Sequence, residues 1–308
     1  MKIEKFYPGF TKKAITFTID DGNVVLDRKF IDIVKPAGIF GTFNLSTVNL
    51  DKFSKEEYRN LYSGFGIANH CKFHPFAFEP GIEYKISEEP FDKDTANPEL
   101  IYKTQVSGMY LQMRTRGWLR IADKTGYLNL VDDGKSDLEE VFGKGSIKSY
   151  VWPYFEQKDS TILDEIVKKG YRSIRKTGEV KDSTGYALPE DRMRWSYNAN
   201  HASLLEEAEK YDKYEITDGE LKYFAFGVHS HDFENNDCWW ILEEFAQKYG
   251  NRREDFYYAS VDDIFDYEDA IKALVVEEGK VVNNSNLPIY LKMDEEYLII
   301  EANSSISR

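Results

Sequence analysis

Short apolar runs alternate with amphipathic stretches along most of this chain, and that alternation narrows the folds open to it more than any other feature. "AITFTI" (Ala14 to Ile19) is rich in β-branched residues and ends at Asp20-Asp21-Gly22, and "IFGTFNL" (Ile39 to Leu45) is a second run of strand length. Between them, "VVLDRKFIDIVKPAG" has apolar residues at helical spacing and stops at Pro36, where the ring blocks a further turn. The result is a strand, helix, strand unit, and similar units recur. A strand expected at Phe65 to Ala68 follows "SKEEYRNLYSG", where Ser54 and Glu57 have the spacing of a capping box. Ile147 to Val151 precedes "STILDEIVKKG", with Tyr171 to Ile174 beyond it, and Tyr223 to Val228 precedes "WWILEEFAQKYG". Repeated βα units predict an α/β protein, either a barrel or a doubly wound sheet.

Two segments break the rhythm. Residues 76–135 form a long excursion in which a helix is expected near Leu100 to Arg116. From Ala273 onward, "LVVEEGKVVNNSNLPIYLKMDEEYLIIEA" reads as short strands separated by turns. The expected division is therefore a βα domain over 1–270 and a β appendage over 271–308.

Charge removes several functions. A formal net charge of −14 opposes binding to nucleic acid, which needs clustered Lys and Arg, and opposes anionic membrane surfaces for the same reason. Mean hydropathy is negative and no 18-residue apolar run suggests a spanning helix. The N-terminal stretch has no apolar core of a signal peptide, and two cysteines, Cys71 and Cys238, are too few for a disulfide framework. A reducing, cytoplasmic setting is expected. The acidic runs "VDDIFDYEDA" and "VVEEGK" read as solvated surface, and "CWWILEEF" as core.

The chain has five histidines, and four of them fall in two clusters at strand ends. In "GIANHCKFHPF", His70 and His74 stand four apart, a spacing that puts two imidazoles on one side of a helical turn within reach of one metal ion. Two polar residues on a solvated turn would read the same way. A zincin motif would need Glu after the first His, and Cys71 is there instead, so a water-activating carboxylate has to come from elsewhere. "TIDDG" offers Asp20 and Asp21 at the C-terminal end of a strand, where α/β folds carry their functional groups. One of the pair could bind a metal and the other accept a proton, although Asp-Gly after a strand is also ordinary turn chemistry. In "FAFGVHSHDF" a strand runs into His229, Ser230, His231 and Asp232: a histidine suited to acid catalysis with a carboxylate to fix its tautomer, or a polar loop.

Together these segments resemble the polysaccharide deacetylases of the NodB homology fold, carbohydrate esterase family four. "TIDDG" is similar to that family's T-F-D-D-G, His70-Cys71-Lys72-Phe73-His74 to its H-[ST]-x-x-H, "GFGIANHCKFHP" to G-H-E-I-G-N-H-x-x-x-H-P, and "GTFNL" to A-T-F-F-L. The resemblance spans roughly Lys13 to Ala270, apart from the excursion, and implies a distorted (β/α) barrel. It implies that Asp21, His70 and His74 bind a divalent metal, zinc first and cobalt or nickel as alternatives, and that Asp20 is the base acting on metal-bound water. "YVWPYF" is similar to the third motif, R-x-P-Y, which makes Pro153 a pocket residue and gives the Tyr154 backbone N–H to the oxyanion. "FGVHSHDF" resembles the fifth motif and makes His229 the general acid, with His231 beside the substrate. "LPEDRMRWSYNANH" is similar to the fourth, offering Trp195 as a pocket wall and His201 as a substrate contact.

Two departures stand out. The Arg of the third motif, which orients the catalytic Asp, is replaced by Val151, and Arg175 from the next strand is expected to take its place. Cys71 replaces Ser or Thr and is expected to be a core thiol rather than a ligand. The implied reaction is hydrolytic removal of an acetyl group from an N- or O-acetylated saccharide, small and soluble if the setting is cytoplasmic. Hydrolysis of non-sugar linear or cyclic amides is an alternative on the same fold, and a non-catalytic carbohydrate-binding relative is a rival. The appendage is a candidate homo-oligomer contact.

Overall fold

The computed structural model describes residues 2–47, 50, 52–77, 86–87, 109–113, 117–154, 156–157, 159–179, 186–277 and 279–307. Its centre is a curled, all-parallel sheet in the order Trp195–Tyr197, Ser173–Glu179, Ser149–Val151, Gly66–Asn69, Thr42–Leu45, Lys13–Asp21 and Lys222–His229, with Phe256–Tyr258 also pairing with Lys13–Asp21. The curl brings the two ends together. Asn198 N–H donates to the Ala225 carbonyl at 2.8 Å, and Gly227 N–H to Ala199 at 2.9 Å, nearly closing the barrel. The expected NodB-type distorted barrel is the fold observed.

Local chemistry sets the helices. Asn23 caps Val24–Val34 by accepting from Leu26 N–H, and Ser54 and Glu57 form the expected capping box on Lys55–Leu61. The strand Lys13–Asp21 is buried on both faces apart from its ends, as a parallel strand covered by helices must be. Phe17 shows how the layers join. Its ring lies 5.3 Å from Phe30 on the first helix, 4.9 Å from Phe226 on the adjacent strand and 5.5 Å from Phe245 on Trp239–Tyr249. Each such buried aromatic contributes on the order of 2 kcal/mol from area alone.

The excursion differs from expectation. Met109–Met113, inside the segment expected to be helical, is a strand antiparallel to Gly117–Ala122, in a four-stranded sheet that also holds Phe76–Ala77 and Ile86–Ser87. The helix-forming Met, Leu and Gln are a weak preference that cross-strand pairing overrides. The remainder of Leu100 to Arg116 lies outside the described residues. The helix is further on, at Lys124–Phe142, capped by Asp123. Gly134 lets it lie flat on the barrel, because a Cβ there would come within 2.7 Å of Asn69 Oδ1 and 2.8 Å of Lys72 N.

The acidic run near residue 262 is also not simply solvated. It forms the helix Val261–Lys272, whose Ile264, Phe265 and Tyr267 pack inward and whose buried Asp262 accepts a hydrogen bond from Ser149 Oγ. The apolar face beneath the charges, at helical spacing, is what buries it. In "CWWILEEF", Trp239 is core but Trp240 points outward, 56% exposed. The C-terminal strands form two small antiparallel sheets, one of which takes in the N-terminal strand Ile3–Phe6 as the partner of Ile289–Met293. No helix among the described residues is long and apolar enough to cross a membrane.

Candidate metal and catalytic site

Strand register determines which side chains meet. Asp20 lies level with His229 on one side and Asn44 on the other, and Leu45 lies level with Asn69, so the C-terminal ends of these strands open at one height. They surround a cavity of about 420 Å³ that Asp20, Asp21, His70, His74, Tyr154, His201, His229 and His231 all line.

His70 and His74 meet without the helical turn that their spacing suggested. Residues 71–75 are non-helical, with Cys71, Phe73 and His74 at φ of 66°, 64° and 49°. The left-handed residues fold the loop back so that the two rings stand 4.7 Å apart. Asp21 and Tyr154 are also left-handed, at 79° and 62°, so three of the eleven non-glycine positive φ values among the described residues belong to residues that line this cavity and two more, Cys71 and Phe73, lie in the loop that carries His74. Such conformations cost on the order of 1 kcal/mol or more each and persist where the surroundings enforce them.

The His70 Nδ1–H donates to the Val151 carbonyl at 3.0 Å, which leaves the Nε2 lone pair directed at Asp21 Oδ1, 3.4 Å away. His74 Nε2 lies 3.2 Å from the same oxygen. That oxygen is buried and makes no hydrogen bond of good geometry. Two imidazole nitrogens and one carboxylate oxygen converging on an otherwise unsatisfied point suit a zinc-like divalent ion and leave other coordination positions open. Burial works to raise the Asp21 pKa, but His70 and His74 hold it well below the usual carboxylate range. Burial lowers the His74 pKa and keeps the ring neutral, as a metal ligand requires.

Asp20 sits behind this set. Its carboxylate accepts from Arg175 Nη2 at 2.5 Å on both oxygens and from Asn44 Nδ2 at 2.7 Å. Arg175 pairs in register with Val151, so the guanidinium enters from the strand beside the one on which the motif would carry it. Burial favours the neutral acid, yet Arg175 keeps Asp20 below its ordinary pKa. On the opposite side His229 Nδ1 lies 3.0 Å from Asp232 Oδ2. Burial would lower the His229 pKa, but Asp232, Asp20 and Asp21 together push it up to about 9, so the ring is protonated at neutral pH.

The remaining candidates separate. His201 lines the cavity with Nδ1 3.7 Å from Asp232, and His231 lies 3.8 Å from Asp21 Oδ2. The Tyr154 ring packs 4.3 Å from His74, and its carbonyl accepts from Thr177 Oγ1. Pro153 is buried, and its neighbour Trp152 reaches the cavity instead. Trp195 lies in a second core, 5.8 Å from Phe265, and the wall from its strand is Tyr197, packed so closely on Gly227 that a Cβ there would come within 2.2 Å of the ring. Cys71 is fully buried, its pKa raised by burial.

Sequence reasoning missed Asn44, Tyr197 and Asp27. Asn44 left a signal, an amide inside an apolar strand one residue from its end. Asp27 is fully buried in the first helix, where it accepts from Ser230 Oγ and Tyr62 OH, each at 2.7 Å. Burial raises its pKa to about 7 despite both donors. A carboxyl raised in the folded state destabilises the fold as pH climbs from the unfolded value through about 7, by up to roughly 4 kcal/mol. Asp27→Asn should therefore melt higher than the parent at pH 8, with the gap closing toward pH 4. A gap of equal size in thermal melts at both pH values would show that Asp27 ionises without penalty.

Neither a protein-family model nor a curated protein matches the sequence. Solved structures do match. A putative polysaccharide deacetylase from Mycobacterium smegmatis superposes with a TM-score of 0.52 at 15% identity, over 87% of this chain and 94% of that one. A peptidoglycan deacetylase from Bacillus subtilis gives 0.45 at 14% identity, over 85% and 94%. A polysaccharide deacetylase from Bacillus cereus gives 0.44 at 12% identity, over 80% and 91%. The chain has the polysaccharide-deacetylase fold, the one its strand-end motifs resemble.

Proposed function

We propose that this protein is a metal-dependent hydrolase that removes an acetyl group from an N- or O-acetylated saccharide. The observation that carries the reading is the convergence on Asp21 Oδ1 of His70 and His74, between an Asp20 held ionised by Arg175 and a His229 held protonated by Asp232. Asp21, His70 and His74 would hold a zinc-like ion, which when bound polarises the acyl carbonyl and acidifies a nearby water. Asp20 takes the proton from the attacking water, with Asn44 and Arg175 fixing its oxygens. The Tyr154 backbone N–H donates to the developing oxyanion, and His229 gives its Nε2 proton to the departing nitrogen or oxygen. His201 and His231 contact the saccharide from the cavity wall. A binding module needs neither a base nor an acid, so the coexistence of Asp20 and His229 favours the enzyme.

The test is metal content of protein never exposed to chelator, measured beside His74→Ala, together with acetate release from N-acetylglucosamine oligomers and O-acetylated xylo-oligomers. One equivalent or more in the parent, a deficit in the variant, and acetate release that depends on the metal are expected. Protein that takes up no zinc, cobalt or nickel at the His70 and His74 set would sink the reading.

A further inference from the structure

We propose that Asp21, His229 and His231 form a second, weaker divalent-cation site that shares Asp21 with the first, and that filling it suppresses turnover. The inference rests on the metal reading above, and it begins from the two oxygens of Asp21, which serve different histidine pairs. Oδ1 faces His70 and His74, whereas Oδ2 lies 4.0 Å from His229 Nε2 and 3.8 Å from His231 Nδ1. One ligand atom from each of Asp21, His229 and His231 lies within 4.8 Å of the other two. A carboxylate bridging two ions about 3.5–4 Å apart is an established way to hold a metal pair.

The outer support is built as well. Asp232 holds the His229 ring from behind, with Oδ2 3.0 Å from Nδ1, while its Oδ1 lies 3.9 Å from His231 Nε2, beyond direct hydrogen-bond reach. A carboxylate on the far nitrogen orients a ligand imidazole and raises its basicity. The two rings stand 4.7 Å apart, tilted by 31°. Among the described residues, Asp21 and Asp232 form ion pairs only with histidines, so no Lys or Arg takes the place of a cation there.

The order of filling follows from spacing. Metal–ligand bonds of about 2.0–2.1 Å hold tetrahedral donors roughly 3.3 Å apart. The first set already has that spacing on the Asp21 side, at 3.4 and 3.2 Å, and the second, at 4.0 and 3.8 Å, has to contract by about 0.5–0.7 Å. The side chains of His229 and His231 are also 36% and 35% exposed, against 1% for His70, so water competes for the second ion. His229 is protonated at neutral pH, so an ion binding there has to displace the Nε2 proton, which weakens the second site further and removes the proton that would go to the leaving group.

Equilibrium dialysis of the full chain against zinc alone, for the parent, His231→Ala, His231→Gln and His74→Ala, tests this. Two equivalents are expected in the parent, the second weaker, with loss of one equivalent in both His231 variants. Acetate release by the parent should rise with the first equivalent and fall with the second, and the ratio of the two rates should move toward one in the His231 variants. A single equivalent in the parent, or a second one that survives in both folded His231 variants, overturns the second site alone. No equivalents in the parent overturns the metal reading along with it. Melting curves of the variants identify any that fail to fold, and the glutamine variant keeps the bulk of the ring.

Discussion

Asp20→Asn should lower the turnover number for acetate release by about 10²- to 10⁴-fold while leaving affinity for the saccharide nearly unchanged. The substitution keeps shape but removes the one carboxylate positioned as a base: Asp21 is turned to the histidines, and Asp232 is committed to His229 and His201. It also leaves the Arg175 guanidinium, 1% exposed, without its anion. Rates therefore need to be measured below the variant's melting temperature, with binding of a non-hydrolysable acetylated oligosaccharide measured on the same preparation. Unchanged affinity with lost turnover is the signature of an enzyme whose base has been removed. If the parent binds the sugar and shows no turnover for the substitution to abolish, the protein is the non-catalytic relative.

Arg175→Ala is expected to cost about 3–5 kcal/mol of stability, because it strands a buried carboxylate. In the parent, Arg175 depresses the Asp20 pKa, so the pair stabilises the fold above the unfolded value of 3.8 and loses that contribution as pH falls through the folded value. In the variant burial, the largest influence on Asp20, loses its strongest opponent, so the pKa rises and ionising Asp20 becomes a cost that grows as pH rises. The difference in melting temperature between parent and variant should widen from pH 4 to pH 8, and the acid limb of the turnover profile should shift to higher pH. Turnover and pH profile unchanged by Arg175→Ala would remove Arg175 from the catalytic arrangement, whatever the melting data show.

Much of the barrel was legible because parallel strands buried on both faces have to be continuous apolar runs, and helices covering them have to be amphipathic. Lys13–Asp21, Thr42–Leu45, Gly66–Asn69, Ser149–Val151 and Lys222–His229 overlap the apolar runs picked out by pattern, with ends that differ by up to three residues. Met109–Met113 was not legible, since five residues of mixed preference take their state from the strand they pair with. Trp195 and Tyr197 show the same limit at the site. Both are aromatic and two residues apart, and only the packing around Phe265 and Gly227 decides which one reaches the cavity.

By itself the sequence determined the chemical inventory at the strand ends, two carboxylates at 20 and 21 and two histidine pairs, since strand termini are local features set by where apolar runs stop. The tertiary structure decided the partnerships. Arg175 reaches Asp20 because parallel register sets it beside Val151, His70 and His74 converge because left-handed residues reverse a loop, and Asp232 holds the His229 ring because a short helix begins at Ser230. Each of these joins residues through register or backbone reversal, and neither quantity is encoded in a local spacing.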